Sequence, residues 1–207
     1  MSQIILASAS PRRRELLEQI GLEFEIIPSR AQEVITSSVP KEVVMELSRQ
    51  KAEEVAKGIL SYQENHKKLV SPQDILVLGS DTVVAIGDRI LGKPGDEAEA
   101  KEMLSLLSGQ THSVFTGVAC VFLDGEGRCR EHVFYEETKV TMQEMSEKEI
   151  DRYVATKEPM DKAGAYGIQG ACAIYIKEIK GDYNNVVGLP LSRLYAELKA
   201  LGIDLLA

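Results

Sequence analysis

The sequence predicts an α/β fold, and three observations predict it. Residues 4–7 and 75–86 are nearly unbroken apolar runs of the kind that form covered strands. Helix-start signals follow such runs at Ser10-Pro11, Pro40 and Asp96. Residues 114–123 and 131–142 read as two long strands, and the short loop Asp124-Gly125-Glu126-Gly127 between them makes them an antiparallel pair.

The first strand, Ile4-Ile5-Leu6-Ala7, runs into Ser8-Ala9-Ser10-Pro11-Arg12-Arg13-Arg14. Ser10 supplies an N-cap hydroxyl and Pro11 a first helical residue, so a helix starts there. Three arginines in its first turn invert the usual preference for acidic residues, which makes the helix start an anion cradle at a strand-to-helix switch. The bland alternative is a solvated basic turn paired with Glu15 and Glu18. Gly21 is the expected helix stop. Residues 24–28 look like a strand passing into a loop with Arg30, Gln32 and Glu33.

Pro40 opens a second helix whose apolar stripe is Val43, Val44, Leu47, Val55 and Ile59, with Lys51 on its flank. Residues 61–74 are polar and read as a surface connection. Asp81 then stands inside the apolar run 75–86, where a carboxylate is costly without a partner. Gly87-Asp88 makes a hairpin turn, residues 90–91 the returning strand, and Gly92-Lys93-Pro94-Gly95 a stiff loop presenting a lysine. Asp96 caps a helix to about Ser108, stopped by Gly109, and Ser146-Glu147-Lys148-Glu149 is a capping box for another. Residues 158–170 form a loop dense in glycine, charge and amide. A strand at 171–176, a turn at Gly181-Asp182 and a last helix from Pro190 to about Leu201 complete the chain.

The 207 residues, 44% hydrophobic and 27% charged, suffice for one substantial core. No run approaches the roughly 18 apolar residues of a membrane span, and the N-terminus lacks the pattern of a signal peptide, which predicts a cytoplasmic protein. Cys120, Cys129 and Cys172 are odd in number and widely spaced, with only His66, His112 and His132 beside them, so they read as reduced packing residues. A net charge of −8 argues against nucleic-acid polymers as partners. An anionic ligand must therefore be met locally.

The outstanding charges are Arg12, Arg13, Lys51, Lys93 and Lys162 against Glu33, Asp81 and Asp161. This is an inventory for phosphoryl chemistry: several cations hold a polyphosphate, and two carboxylates hold a divalent ion or activate a water. No P-loop and no Rossmann glycine fingerprint occurs, which sets aside the kinase and dehydrogenase classes. Asp81 reads as the general base or as a metal ligand, with Glu33 the second carboxylate. Ser8, Arg13, Lys51 and Lys93 read as the phosphate-holding groups.

Taken together, Ser8-Ala9-Ser10-Pro11-Arg12-Arg13, Gly79-Ser80-Asp81-Thr82, Gly92-Lys93-Pro94 and the segment from Asp161 through Tyr166-Gly167-Ile168-Gln169-Gly170 resemble the Maf family of nucleoside triphosphate pyrophosphatases over essentially the whole chain. That resemblance implies a curved mixed sheet with flanking helices in two lobes around a central cleft, similar to inosine triphosphate pyrophosphatases, in one domain spanning residues 1–207. It implies a house-cleaning hydrolase that converts a nucleoside triphosphate to the monophosphate and pyrophosphate with Mg or Mn, and it leaves a homodimer open. Asp161 and Lys162 join the substrate-binding residues on the same ground. Arg12, Thr82 and Gln169 match the subgroup that prefers dTTP and UTP. The competing reading is a nucleotide-binding regulator of cell division without turnover.

Overall fold

The computed structural model describes residues 3–65, 74–126 and 128–205. Among the described residues the α-helices and β-strands run in the order β1 (Gln3–Leu6), α1 (Pro11–Gln19), β2 (Glu25–Ile26), α2 (Pro40–Asn65), β3 (Ile75–Ile86), β4 (Arg89–Leu91), α3 (Glu97–Leu107), β5 (Thr111–Leu123), β6 (Cys129–Met142), α4 (Glu147–Ala155), β7 (Ile176–Lys180), α5 (Tyr183–Val187) and α6 (Leu191–Ala200). The strands form one mixed sheet ordered β2-β1-β3-β5-β6-β7, with β4 paired to β3 beside that path. β1 runs parallel to β2 and β3, while β4 is antiparallel to β3 and β7 to β6. The predicted α/β class with a mixed sheet is the observed one.

The chain divides into two compact units. The first comprises Met1–Asp81, Gly117–Tyr135 and Leu191–Ala207. Its core gathers Ile5, Val55, Ile75, Val77, Val121 and Leu123 with small Ala52, Ala56 and Ala119, all nearly inaccessible. Full burial of each larger aliphatic side chain contributes about 1.5–3 kcal/mol. Gly21 ends α1 at φ +73°, with Leu22 N–H reaching Leu17 O and Gly21 N–H reaching Glu18 O, the paired bonds of a left-handed helix stop.

The second unit comprises Thr82–Thr116 and Glu136–Pro190. Asp96 caps α3 by accepting the Glu99 N–H at 2.8 Å, and the Glu149 carboxylate reaches back to the Ser146 N–H at 2.8 Å at the start of α4. α3 buries Ala100, Met103, Leu104 and Leu107, α4 buries Ile150, Tyr153 and Val154, and a Lys101–Asp151 ion pair of 2.6 Å joins the two helices.

Several sequence expectations are corrected. α2 continues to Asn65, so residues 61–65 belong to a helix; the rest of the expected surface connection, 66–73, and Gly127 of the hairpin loop lie outside the described residues. The strand expected at 171–176 is a 3₁₀ turn over Ala171–Tyr175, in which Ala173 N–H bonds Gly170 O and Ile174 faces solvent; the strand begins only at Ile176. Apolar content alone did not distinguish a strand from a turn there. α5 was not anticipated; Asp182 caps it, accepting the Asn184 N–H at 2.8 Å. Cys120 and Cys172 are buried packing residues whose thiols burial pushes up to about 12, whereas Cys129 is exposed.

Candidate active site

The first unit assembles its charged groups in two steps. At the start of α1, Ser10 occupies the N-cap position but its hydroxyl makes no capping bond. The hydroxyl that is used belongs to Ser8, which accepts the Ser10 N–H at 3.3 Å and an Arg13 guanidinium N–H at 3.0 Å. Arg13 is thereby folded back over the helix start. Burial lowers its pKa, Asp81 and Glu33 act in the opposite direction, and a guanidinium stays charged throughout. Arg12 is half-buried, whereas Arg14 is exposed and pairs with Glu18 one turn on at 3.5 Å. The solvated-turn reading fits Arg14.

The second step brings Lys51, Glu33 and Asp81 together. A side chain on Gly79 would lie 2.3 Å from Ser48 O and 2.8 Å from Ala52 N, and one on Gly117 would lie 2.2 Å from Val44 O. These two glycines let α2 settle onto β3 and β5 with backbone nearly touching backbone. Lys51, between Ser48 and Ala52 in sequence, then reaches Asp81, two residues beyond Gly79. Its ammonium lies 2.5 Å from Asp81 Oδ1 and 2.9 Å from Glu33 Oε1, with the lysine side chain only 18% exposed.

Glu33 arrives on an irregular segment held against one face of α2. Glu54 accepts the Arg30 N–H, Gln50 accepts the Val34 N–H and donates to Val34 O, and Glu46 accepts the Thr36 N–H and hydroxyl. Positions 46, 50 and 54 are four residues apart, so one helix stripe carries all three. That polar ladder was visible in the sequence as spacing but escaped notice beside the apolar stripe.

The second unit holds the remaining expected residues. Thr82 Oγ1 lies 2.9 Å from Thr116 Oγ1. Lys93 is exposed on its loop, next to a buried Pro94. Lys162 donates to Asp161 at 2.7 Å and to Glu158 O at 2.7 Å, and Gln169 is exposed. The loop that carries these groups is braced. Glu158 accepts the Tyr153 hydroxyl at 2.9 Å and the Ala171 N–H at 3.1 Å, and the Tyr153 oxygen accepts the Gly167 N–H at 3.0 Å. Tyr166, just before Gly167, is buried with its hydroxyl 2.8 Å from His112 Nε2. Burial pushes the His112 imidazole down to about 4, which leaves it neutral at pH 7.

Two carboxylates directed at one ammonium are a hard-oxygen donor set. It fits Mg or Mn, which bind through one or two carboxylates and complete their shells with water and phosphate oxygens. Among the described residues, no group of three or more histidines, cysteines or carboxylates is placed to share a metal. No helix among them is long and apolar enough to cross a membrane.

Comparison with known proteins matches residues 3–201 to the family described as Maf-like protein. The chain belongs to the Maf family. A relative named dTTP/UTP pyrophosphatase from Agathobacter rectalis is 66% identical over 204 residues, covering 99% of this chain and 100% of its own length. Another of that name, from Bacillus thuringiensis subsp. konkukian, is 54% identical over 205 residues, covering 99% of this chain and 98% of its own. Among solved structures, a HAM1 protein from Coxiella burnetii aligns at TM-score 0.45 and 18% identity, covering 97% of this chain and 100% of its own.

In this Maf chain, the structure brings together Ser8 with Arg13, and Glu33 and Asp81 with Lys51. Thr82, Lys93, Asp161, Lys162 and Gln169 belong to the other unit, where Asp161 and Lys162 pair with each other. Sequence reasoning missed Tyr153, Glu158, Thr116 and Asn185. Glu158 carried a signal, since it heads a glycine-rich segment; buried Thr116 looked like any strand threonine.

Proposed function

We propose that this chain hydrolyses dTTP and UTP to the nucleoside monophosphate and pyrophosphate, residues 1–207 acting as one enzymatic domain. The observation that carries the reading is the Lys51 ammonium held between Glu33 and Asp81. Curated relatives at 54–66% identity bearing the name dTTP/UTP pyrophosphatase support the same substrate class.

In this reading water adds to the α-phosphorus, the bond from that phosphorus to the bridging oxygen breaks, and pyrophosphate leaves. Asp81 takes up a proton of the attacking water. Lys51 orients Asp81 and offsets the joint negative charge of the two carboxylates, so that a polyanion can approach them. Arg13, fixed by Ser8, and the start of α1 bind phosphate oxygens, and Lys93 neutralises charge on the departing pyrophosphate. Glu33 would hold the divalent ion, which when bound polarises the phosphoryl group; in the alternative assignment Asp81 is a second ligand of that ion instead of the base. Asp161 and Lys162 fix the loop that presents Gln169. Arg12, Thr82 and Gln169 meet the pyrimidine, whose two carbonyls need donors and whose N3–H needs an acceptor.

The test is a nucleotide panel with a pyrophosphate-release readout, with and without chelator. The expected result is turnover of dTTP and UTP at least about tenfold more efficient than of dCTP, ATP or GTP, abolished by chelator. Unchanged dTTP at high enzyme with Mg or Mn would instead indicate a non-hydrolysing nucleotide regulator.

A further inference from the structure

Gln169 stands midway between two backbone N–H groups whose bonds end on the same carboxylate. Two residues before it, the Gly167 N–H donates to the Tyr153 phenol oxygen at 3.0 Å; two residues after it, the Ala171 N–H donates to Glu158 Oε2 at 3.1 Å. The Tyr153 hydroxyl in turn donates to Glu158 Oε1 at 2.9 Å. A backbone N–H only donates and an ionised carboxylate only accepts, so the phenol joins them by accepting from Gly167 and donating to Glu158. Burial raises the Tyr153 phenol above its ordinary pKa, which keeps that proton in place. The buried Cys172 thiol lies against the same phenol.

Glu158 is itself held on both sides. Its N–H donates to the Thr156 hydroxyl at 3.2 Å, and its backbone carbonyl accepts Lys162 Nζ at 2.7 Å. Lys157, the residue before it, lies in the left-handed region at φ +63°, a conformation that a non-glycine residue keeps only where its surroundings require it. A side chain on Gly170 would collide with the Glu158 carboxylate, which therefore rests directly on the backbone next to Gln169.

We propose that Glu158, with Tyr153, is a positioning residue for base choice: it clamps the backbone on either side of Gln169 so that the amide meets the pyrimidine with its oxygen and its NH2 in register. This rests on the pyrimidine reading above and adds two residues that act through Gln169. The amide must offer its oxygen to N3–H and its NH2 to a neighbouring carbonyl. A backbone free to shift loses both contacts together. An untethered segment would have to be ordered at each binding event, whereas the clamp orders it on folding. Base contacts are made before the reaction as well as during it, so their loss raises KM and leaves kcat nearly unchanged.

The experiment is a double-mutant cycle on the full chain, with kcat and KM for dTTP and dCTP measured in wild type, Glu158→Ala, Gln169→Ala and the double variant. Glu158→Ala is expected to raise KM for dTTP about tenfold, keep kcat within about twofold and so narrow the dTTP:dCTP ratio about tenfold. In the Gln169→Ala background the same substitution should leave the ratio where it is, because nothing remains for the clamp to position. Additive losses there, or a fall in kcat for both nucleotides alike, would mean a general structural role and overturn the proposal. Amide hydrogen exchange gives a readout independent of turnover: residues 167–171 are expected to exchange about tenfold faster in Glu158→Ala. Unchanged exchange overturns the clamp. If Glu158→Ala does not fold, Tyr153→Phe, which removes the tie to Gly167 and keeps the buried ring, decides by the same measurements. A wild type without dTTP preference defeats the pyrimidine reading together with this one, whereas a selective wild type whose ratio survives Glu158→Ala defeats only the clamp.

Discussion

The two units handle polar chemistry in opposite ways. In the first, formal charges are gathered and paired: one ammonium meets two carboxylates, and a guanidinium is turned back onto a serine. In the second, the buried polar groups are neutral, from Thr116, in contact with Thr82 and the Asn185 carbonyl, to the His112–Tyr166 pair, while the charged and amide groups Lys93 and Gln169 stand exposed. Clustered charge is what a developing phosphoryl charge requires, and it acts at short range in a partly buried setting. Neutral hydrogen bonds discriminate between molecules of equal charge, because a mismatched partner leaves a polar group unpaired. In the proposed reading the Lys51 cluster bears on rate, while Thr82 and Gln169, with Arg12 of the first unit, bear on base choice, so the two properties should respond to different substitutions.

The largest effect is expected at Asp81. Asp81→Asn should lower kcat for dTTP by about a thousandfold or more, with the far-ultraviolet circular dichroism unchanged, because the amide keeps the shape but accepts no proton. Activity within a few-fold of wild type would remove the first unit's claim to the chemistry. Lys51→Met comes next. It leaves two carboxylates facing each other, and a loss of about a hundredfold in kcat/KM is expected for dTTP and dCTP alike, with their ratio preserved; steady-state kinetics on both substrates checks it. A change in the ratio would blur the division between the units.

His112 sharpens the comparison through stability. Its neutral form is the folded one, so between pH 6.5 and about 4 the unfolded chain binds a proton that the folded chain does not, and stability falls as pH is lowered through that window. The expected loss by pH 5 is about 2 kcal/mol relative to pH 7, read from urea denaturation. His112→Gln should flatten that dependence while lowering stability at pH 7. Gln169→Ala is expected to reduce the dTTP:dCTP ratio by about tenfold by harming dTTP, with the chemistry of the first unit intact. The smallest effect belongs to Arg14→Ala. Its exposed pair with Glu18 should leave kcat unchanged and stability within about 0.5 kcal/mol, measured by kinetics and thermal melting.

Much of the architecture was legible from residue order. The covered strand at β1, proline at the start of α1 and α2, the glycine stop of α1 and the Asp96 cap of α3 are local signals, and local backbone preference executes them. The need of Asp81 for a partner was equally readable, because a carboxylate in an apolar strand has no cheap alternative.

What only the tertiary structure decided is who that partner is and how it arrives. Lys51 lies thirty residues before Asp81, and Gly79 and Gly117 let α2 approach the sheet closely enough for the pair to form. The segment bearing Glu33 is held by side chains four residues apart on α2, and Thr82 meets Thr116, whose hydroxyl donates to the Asn185 carbonyl, both distant in sequence. A sequence lists donors and acceptors one residue at a time. The direction of a hydrogen bond and the pairing of a charge belong to two groups at once, so they exist only when the fold has brought both to the same place.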